Sequence, residues 1–420
     1  MSPVPYTPRD ELFLWWLADP AQPRLVGRLR LVRRTAGHPG GVSLEYDPAW
    51  LAEGLALSED LPLRPGEFLP VENDAAAGAV DDARPDRWGE RVIRHLYKPT
   101  RLSTLEYLYF AGDERFGALG VSSSAQRYEP QPRAVLPVVG DVPALYELVR
   151  RIEAGEPVDD ALQRLVAPGT TLGGARPKAQ IEIDGHPWVL KFADAGDPND
   201  SPLIEHAAMT LATRAGITVC ETRPIPLVDG HAVAVRRFDR AGAGHGGRRL
   251  HALSAHVALR AAASDGGYPE LALLLRRRGD PTQIAANGAQ VFRRMVFNVL
   301  IDNTDDHEKN HALLVQGRSY ALAPAYDVLP AGQALGYQQF RVGAQGLDAS
   351  AENLLSEPAA FGLRRPQAQA LAREVAEVVE GWQTHFAACG VSAGDLGRLA
   401  EQIDRPYLLG ERRALLRESA

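Results

Sequence analysis

The amino-acid sequence predicts an α+β protein, on three observations. Alternating apolar and polar residues at Leu12–Leu17, Leu25–Val32 and Val42–Tyr46 read as strands near the start of the chain. A second strand-rich stretch, Ala179–Phe192, turns at Asp184-Gly185, a hairpin dipeptide. Beyond about residue 250 the pattern is mostly helical, with Asn287–Ile301 and Gln367–Trp382 as its longest stretches. Strands followed by segregated helices belong to the α+β class. At 420 residues, two or three domains are expected.

In chain order, residues 1–125 form a small mixed domain. Its first two strands are a hairpin joined by Asp19-Pro-Ala-Gln-Pro23, and Pro48 opens a short helix carrying Trp50 and Leu51. Leu61-Pro-Leu-Arg-Pro-Gly66 is a rigid turn. Helical patterns lie at Trp88–Leu96 and Leu105–Phe110, and Phe116–Val121 reads as a strand. Residues 126–140 are Pro-rich and weakly patterned, hence a linker. Helices follow at about 142–154 and 158–166. Another runs from Leu203 to about Arg214, with Ser201 as its cap, Pro202 at its first position and Gly216 as its stop. Strand-like stretches at 218–220, 222–227 and 231–238 come next. The expected domains are therefore 1–125, a lobe at 126–240 and a helical lobe at 241–420.

Composition narrows the class. Apolar content of 45% and charged content of 24% are ordinary for a globular, soluble chain. No apolar run reaches the ~18 residues that span a membrane, and the N-terminus has no signal-peptide pattern. With two cysteines, Cys220 and Cys389, there is no disulfide framework or thiolate metal motif, so a cytoplasmic location is expected. A net charge of −7 argues against a broad basic face for nucleic acid.

The densest chemistry is Asn303-Thr-Asp-Asp-His-Glu-Lys-Asn310, which follows the apolar run Val296–Ile301. Asp305 and Asn310 are five positions apart, the spacing of the protein-kinase catalytic loop. Asp327, in Ala323-Pro-Ala-Tyr-Asp-Val328, lies 22 positions after Asp305, beyond a short hairpin. A kinase carries its second metal-binding Asp in a similar place. Phosphoryl transfer needs one carboxylate facing the nucleophile, and another, with an amide oxygen, on the cation.

Upstream features agree in their order. Gly173, Gly174 and Ala175 with Arg176 and Lys178 make a loop whose N–H groups and positive charge suit phosphates. Lys191 ends an apolar strand, and Glu205 lies on the next helix, placed to pair with it. Val235-Arg236-Arg237-Phe238-Asp239-Arg240 occupies the hinge position, where backbone can meet an adenine edge. Each feature alone has an ordinary explanation: a glycine turn, a snorkelling Lys, a solvated helix Glu. Their sequence along the chain carries the argument.

On Gly173–Lys178, Val189–Lys191, Val235–Arg240, Asn303–Asn310 and Pro324–Asp327, with Tyr46–Trp50 and Leu61–Leu63, the chain resembles the HipA-like serine/threonine protein kinases. The resemblance covers nearly the whole chain. It implies a bilobal protein-kinase-like fold with an extra N-terminal mixed α/β subdomain and a helical C-terminal lobe. It implies ATP and Mg²⁺, a protein Ser/Thr substrate, and a small helix-turn-helix antitoxin through which alone DNA would be met. By residue, it implies Asp305 as catalytic Asp, Asn310 and Asp327 on Mg²⁺, and Lys191 on the ATP phosphates. His307, Lys309 and Tyr326 would line the nucleotide site. Thr171, beside Thr170, falls where the family is autophosphorylated. Two other classes stay open: a catalytically silent kinase-fold binding protein, and a small-molecule phosphotransferase.

Overall fold

The structure is a computed structural model that describes residues 6–129, 136–159, 162, 165, 174–242, 247–331 and 335–417. The described chain falls into two compact units: one from residues up to 190 with 239–253, the other from 191–238 with 254 onward. The boundaries differ from the three-part expectation, because the strand ending at Lys191 is divided and residues 239–253 return to the first unit.

The first unit is built on a sheet of β1 (Glu11–Trp16), β2 (Arg24–Val32), β3 (Gly41–Tyr46), β4 (Glu67–Phe68), β5 (Ala75–Ala76) and β6 (Leu119–Ser122). Its order is β4-β3-β2-β1-β6, with β5 added parallel to β3. Leu12, Leu14, Leu29, Val42 and Leu44 point to one buried face, as period-2 alternation requires. Gly27 sits where β2 and β3 approach closely; a Cβ there would meet the Glu45 carbonyl oxygen at 2.2 Å. Helix α1 (Pro48–Glu53) starts on an Asp47 cap and buries Trp50. Helix α2 (Arg87–Leu96) is capped by Asp86, and α3 (Thr104–Phe110) by a Ser103/Glu106 capping box. Helix α4 (Val142–Ala154) buries Leu145, Leu148, Val149 and Ile152, then stops at left-handed Gly155. Strands β7 (Lys178–Ile183) and β8 (His186–Lys191) form the hairpin turned at Asp184 and Gly185. Both turn residues have positive φ, 53° and 73°, as a tight two-residue turn demands. Residues 130–135 of the expected 126–140 linker, and 160, 161, 163, 164 and 166 of the expected 158–166 helix, lie outside the described residues; Val139–Asp141 forms a short helical turn.

In the second unit, α5 (Ser201–Arg214) is capped by Asp200, whose carboxylate accepts from the Leu203 N–H at 3.4 Å, and not by Ser201 as expected. Ser201 is already in the helix, and its hydroxyl donates back to Asp197 at 2.6 Å. Strands β9 (Thr222–Pro226) and β10 (His231–Arg236) pair antiparallel. Residues 218–220 form no strand in that sheet. They bond in parallel fashion to Ala325, with Cys220 N–H to Ala325 O at 2.8 Å and Ala325 N–H to Thr218 O at 2.9 Å. The first of the three expected strands is therefore spent on holding the segment that ends in Asp327.

Helices α6 (Ala255–Ala261), α7 (Tyr268–Arg278) and α8 (Ile284–Leu300) follow. The last turns of α8 are buried nearly all round, from Arg294 to Leu300. A hairpin of Ala312–Gln316 and Ser319–Leu322 comes next, and helices Arg365–Glu380, Trp382–Ala388, Ala393–Ile403 and Pro406–Arg417 complete the unit. Among the described residues, no helix is long and apolar enough to cross a membrane.

Candidate active site

The residues that could do chemistry gather in the second unit. Lys191 Nζ lies 2.7 Å from Glu205 Oε1 and 2.7 Å from Asp327 Oδ1. Each partner is placed by a different element: Lys191 by the end of β8, Glu205 by the buried face of α5, and Asp327 by the segment tied to 218–220. Burial opposes the charge on Lys191, but the Asp327 and Glu205 carboxylates more than offset it, so its pKa rises above the ordinary lysine range. One ammonium between two carboxylates leaves net negative charge, which favours a cation nearby. Asp327 adopts φ +58°, a left-handed conformation that a non-glycine residue holds only when its surroundings require it.

The loop after α8 has a buried floor and an exposed rim. On the floor, Asp306 accepts hydrogen bonds from Tyr268 Oη, from Asn298 Nδ2 at 3.0 Å and from His311 Nε2 at 3.1 Å. Burial disfavours its charge, yet the His311 ring and the Tyr268 hydroxyl outweigh that and hold its pKa below the usual carboxylate value. Asn303 Nδ2 donates to Asn298 Oδ1 at 3.2 Å, tying the loop's start to α8. On the rim, Asp305 is exposed and accepts from Gln339 Nε2 at 3.0 Å. The backbone carbonyl of Asp305 accepts from Asn310 Nδ2 at 3.2 Å. That bond orients the Asn310 amide, whose Oδ1 is buried and has no hydrogen-bond partner among the described residues. His307 Nδ1 accepts from the Lys309 N–H at 3.2 Å and so caps the short turn Glu308–Asn310. Lys309 is exposed, while its carbonyl accepts from Tyr326 Oη at 2.7 Å. Tyr326 in turn stacks on Phe238, ring centroids 5.6 Å apart.

An unclaimed amide oxygen and a carboxylate are the hard oxygen donors that Mg²⁺ takes. Among the described residues no group of three or more His, Cys, Asp or Glu could hold a metal. A site of one carboxylate and one amide fits the way Mg²⁺ is usually bound, through few protein oxygens and the substrate's phosphates.

The remaining expected residues are placed as follows. Thr170, Thr171 and Gly173 lie outside the described residues. Gly174 and Ala175 are exposed and Arg176 is half-buried. Lys178 departs from the expectation of a phosphate contact. Its ammonium is buried in the first unit against the Asp86 carboxylate and the Gly174 carbonyl, the latter at 2.5 Å. It braces the loop to the cap of α2. Arg236 pairs with Glu221 at 3.2 Å, and Arg237 is buried. The sequence reading did not single out Tyr268, Asn298, His311, Gln339 or Arg294. Asn298 left a signal, a polar residue inside the apolar run Val296–Ile301. The others left none: Tyr268, Gln339 and Arg294 act across the fold, and His311, beside the motif, has nothing in its neighbours to mark it.

Comparison with known proteins identifies the family. The family description "HipA-like C-terminal domain" matches residues 170–382, and "HipA N-terminal domain" matches residues 22–122. Two Sinorhizobium fredii proteins, whose names call them kinases only provisionally, are similar in sequence. Y4dM is 32% identical over 164 residues, 35% of this chain and 38% of its own length. Y4mE is 26% identical over 339 residues, 76% of each chain. The chain thus spans little more than a third of the first relative and about three quarters of the second. Among solved structures, HipA from the Shewanella oneidensis toxin–antitoxin complex of HipA, HipB and operator DNA shares the fold, with a TM-score of 0.66. It is 16% identical, over 97% of this chain and 100% of that one.

Proposed function

The chain belongs to the HipA-like kinase family, and from that premise we propose that it transfers the γ-phosphate of ATP to a serine or threonine hydroxyl of a protein. The observation that carries the reading is the Lys191–Glu205–Asp327 cluster, with Lys191 and Glu205 buried, set in the same unit as the unclaimed Asn310 Oδ1. In this reading Lys191 donates to the nucleotide's phosphate oxygens, held in place by Glu205. Asp305, exposed on the rim, accepts the proton as the substrate hydroxyl oxygen bonds to the γ-phosphorus. The bond from phosphorus to the bridging oxygen breaks, and ADP leaves. Mg²⁺ held by Asn310 and Asp327 would neutralise charge on the phosphates. Phe238 and Tyr326 give a stacked aromatic surface beside the hinge.

The partner proposed is a small helix-turn-helix antitoxin, with DNA met through it, because the Shewanella relative in fold is a toxin bound to HipB and operator DNA. Thr171, or Thr170 beside it, is the proposed site of self-phosphorylation. A phosphate there adds about −1.5 to −2 charges, which would repel bound ATP and lower activity.

The test is incubation of pure protein with γ-labelled ATP, Mg²⁺ and a cell lysate, beside the Asp327→Asn variant. The expected result is label on protein serine or threonine with wild type and none with the variant. Label confined to small molecules, or equal labelling by both proteins, refutes the proposal. Mass spectrometry of the same samples locates any phosphate on Thr170 or Thr171.

A further inference from the structure

Beside the loop floor, within the second unit, is a small, partly open cavity of about 10 Å³. Arg294, Asn298, Asp306, Asn310 and His311 are among its lining residues. Four polar atoms of three of these residues are buried without a hydrogen-bond partner among the described residues: Arg294 Nε and Nη1, Asn310 Oδ1 and His311 Nδ1. The residues themselves are 3%, 5% and 3% exposed.

These atoms are complementary. Arg294 offers two N–H donors. Asn310 Oδ1 is an acceptor, because its Nδ2 donates to the Asp305 carbonyl at 3.2 Å. His311 Nε2 lies 3.1 Å from the Asp306 carboxylate, which leaves Nδ1 as the ring's other polar atom, one that a water can meet as donor or as acceptor. Two Arg294 donors, the Asn310 acceptor and a His311 ring nitrogen, on residues that line a space of one water's size, are the polar groups that a buried water serves, since it both accepts and donates. An anion would meet the Asn310 amide oxygen, and a cation would meet the guanidinium.

We infer that one buried water occupies this cavity, and that Arg294 acts through it as a positioning residue for Asn310. The rest of the guanidinium supports this role, since Nη2 donates to the Ala323 carbonyl at 2.6 Å, four residues before Asp327. Arg294 therefore reaches toward both segments that carry the proposed Mg²⁺ oxygens. One lone pair of Asn310 Oδ1 takes the water and the other remains for the cation. The part concerning Mg²⁺ rests on the kinase reading; the water does not.

Two measurements test it. A crystal structure of the full chain, at a resolution that shows ordered water, should place a density peak within hydrogen-bonding distance of Arg294, Asn310 and His311. An empty cavity, or side chains turned so that the four atoms pair directly, overturns the inference. Calorimetry of ATP binding then compares wild type with Arg294→Met and Arg294→Lys, each checked for a cooperative thermal transition. The Mg²⁺ concentration giving half-maximal binding should rise about tenfold or more, the usual effect of losing a group that orients a ligand, while binding in EDTA stays unchanged. If Arg294→Met does not fold, Arg294→Lys carries the comparison, because it keeps a charge but cannot match the guanidinium's geometry. An unaltered Mg²⁺ requirement in the folded variants contradicts the positioning role. A wild type that binds no ATP with or without Mg²⁺ refutes the kinase reading instead, and the density still decides the water.

Discussion

Asp305 and Asp306 are neighbours in the chain, and the structure treats them in opposite ways. Asp305, on the rim, is exposed and receives one side-chain hydrogen bond, from Gln339. Asp306, on the floor, is buried and receives three, from Tyr268, Asn298 and His311. A carboxylate saturated with donors in a dry site is a poor proton acceptor, because its charge is already stabilised. One that faces solvent and keeps lone pairs unoccupied can receive a substrate proton. The rim is thus suited to chemistry and the floor to holding the rim still.

The largest effect on stability is expected from the floor. Asp306→Ala leaves Tyr268, Asn298 and His311 buried without their acceptor and should cost about 3–5 kcal/mol. Chemical denaturation measures it, and a loss under 1 kcal/mol would erase the distinction between floor and rim. The pH dependence sharpens it. The folded pKa of Asp306 lies below its unfolded value, so its contribution is complete above the unfolded value of about 3.9. It is lost as pH falls through the folded pKa. The gap between wild type and Asp306→Ala should therefore be constant at neutral pH and narrow only below about pH 4. A gap that narrows between pH 7 and 5 would mean that another group governs the floor.

A smaller effect is expected at Tyr268. Tyr268→Phe removes one donor to Asp306 and leaves two others, so a loss of about 1–2 kcal/mol is expected, with activity reduced only modestly. A loss equal to that of Asp306→Ala would make the hydroxyl, not the carboxylate, the centre of the network.

Much of this arrangement was legible in the sequence, and its limits are physical. The Asp305–Asn310 spacing, Lys191 at a strand end, Glu205 on the next helix and Asp327 after a hairpin are local features, fixed by neighbours in the chain. The hairpin at Asp184-Gly185 and helix α4 were legible for the same reason. Asp306 stood in plain view, but nothing local distinguishes it from Asp305; the difference comes from Tyr268 and Asn298, 38 and 8 positions away. Lys178 followed glycines and looked free for phosphate, until its partner turned out to be Asp86, 92 positions earlier. The 218–220 stretch has strand composition, and only the fold shows that its backbone is spent on Ala325. Ser201 lost the cap to Asp200 because both residues can cap, and sequence does not decide between adjacent candidates.

The central claim, that the rim carries phosphoryl transfer, is tested most directly by Asp305→Asn. Transfer from γ-labelled ATP and thermal unfolding should be measured on the same preparations of variant and wild type. The expected result is a rate at least about 100-fold lower with the melting temperature unchanged within a few degrees, since a positioned general base contributes that much and an exposed side chain little to stability. Near-normal transfer by folded Asp305→Asn would contradict the account.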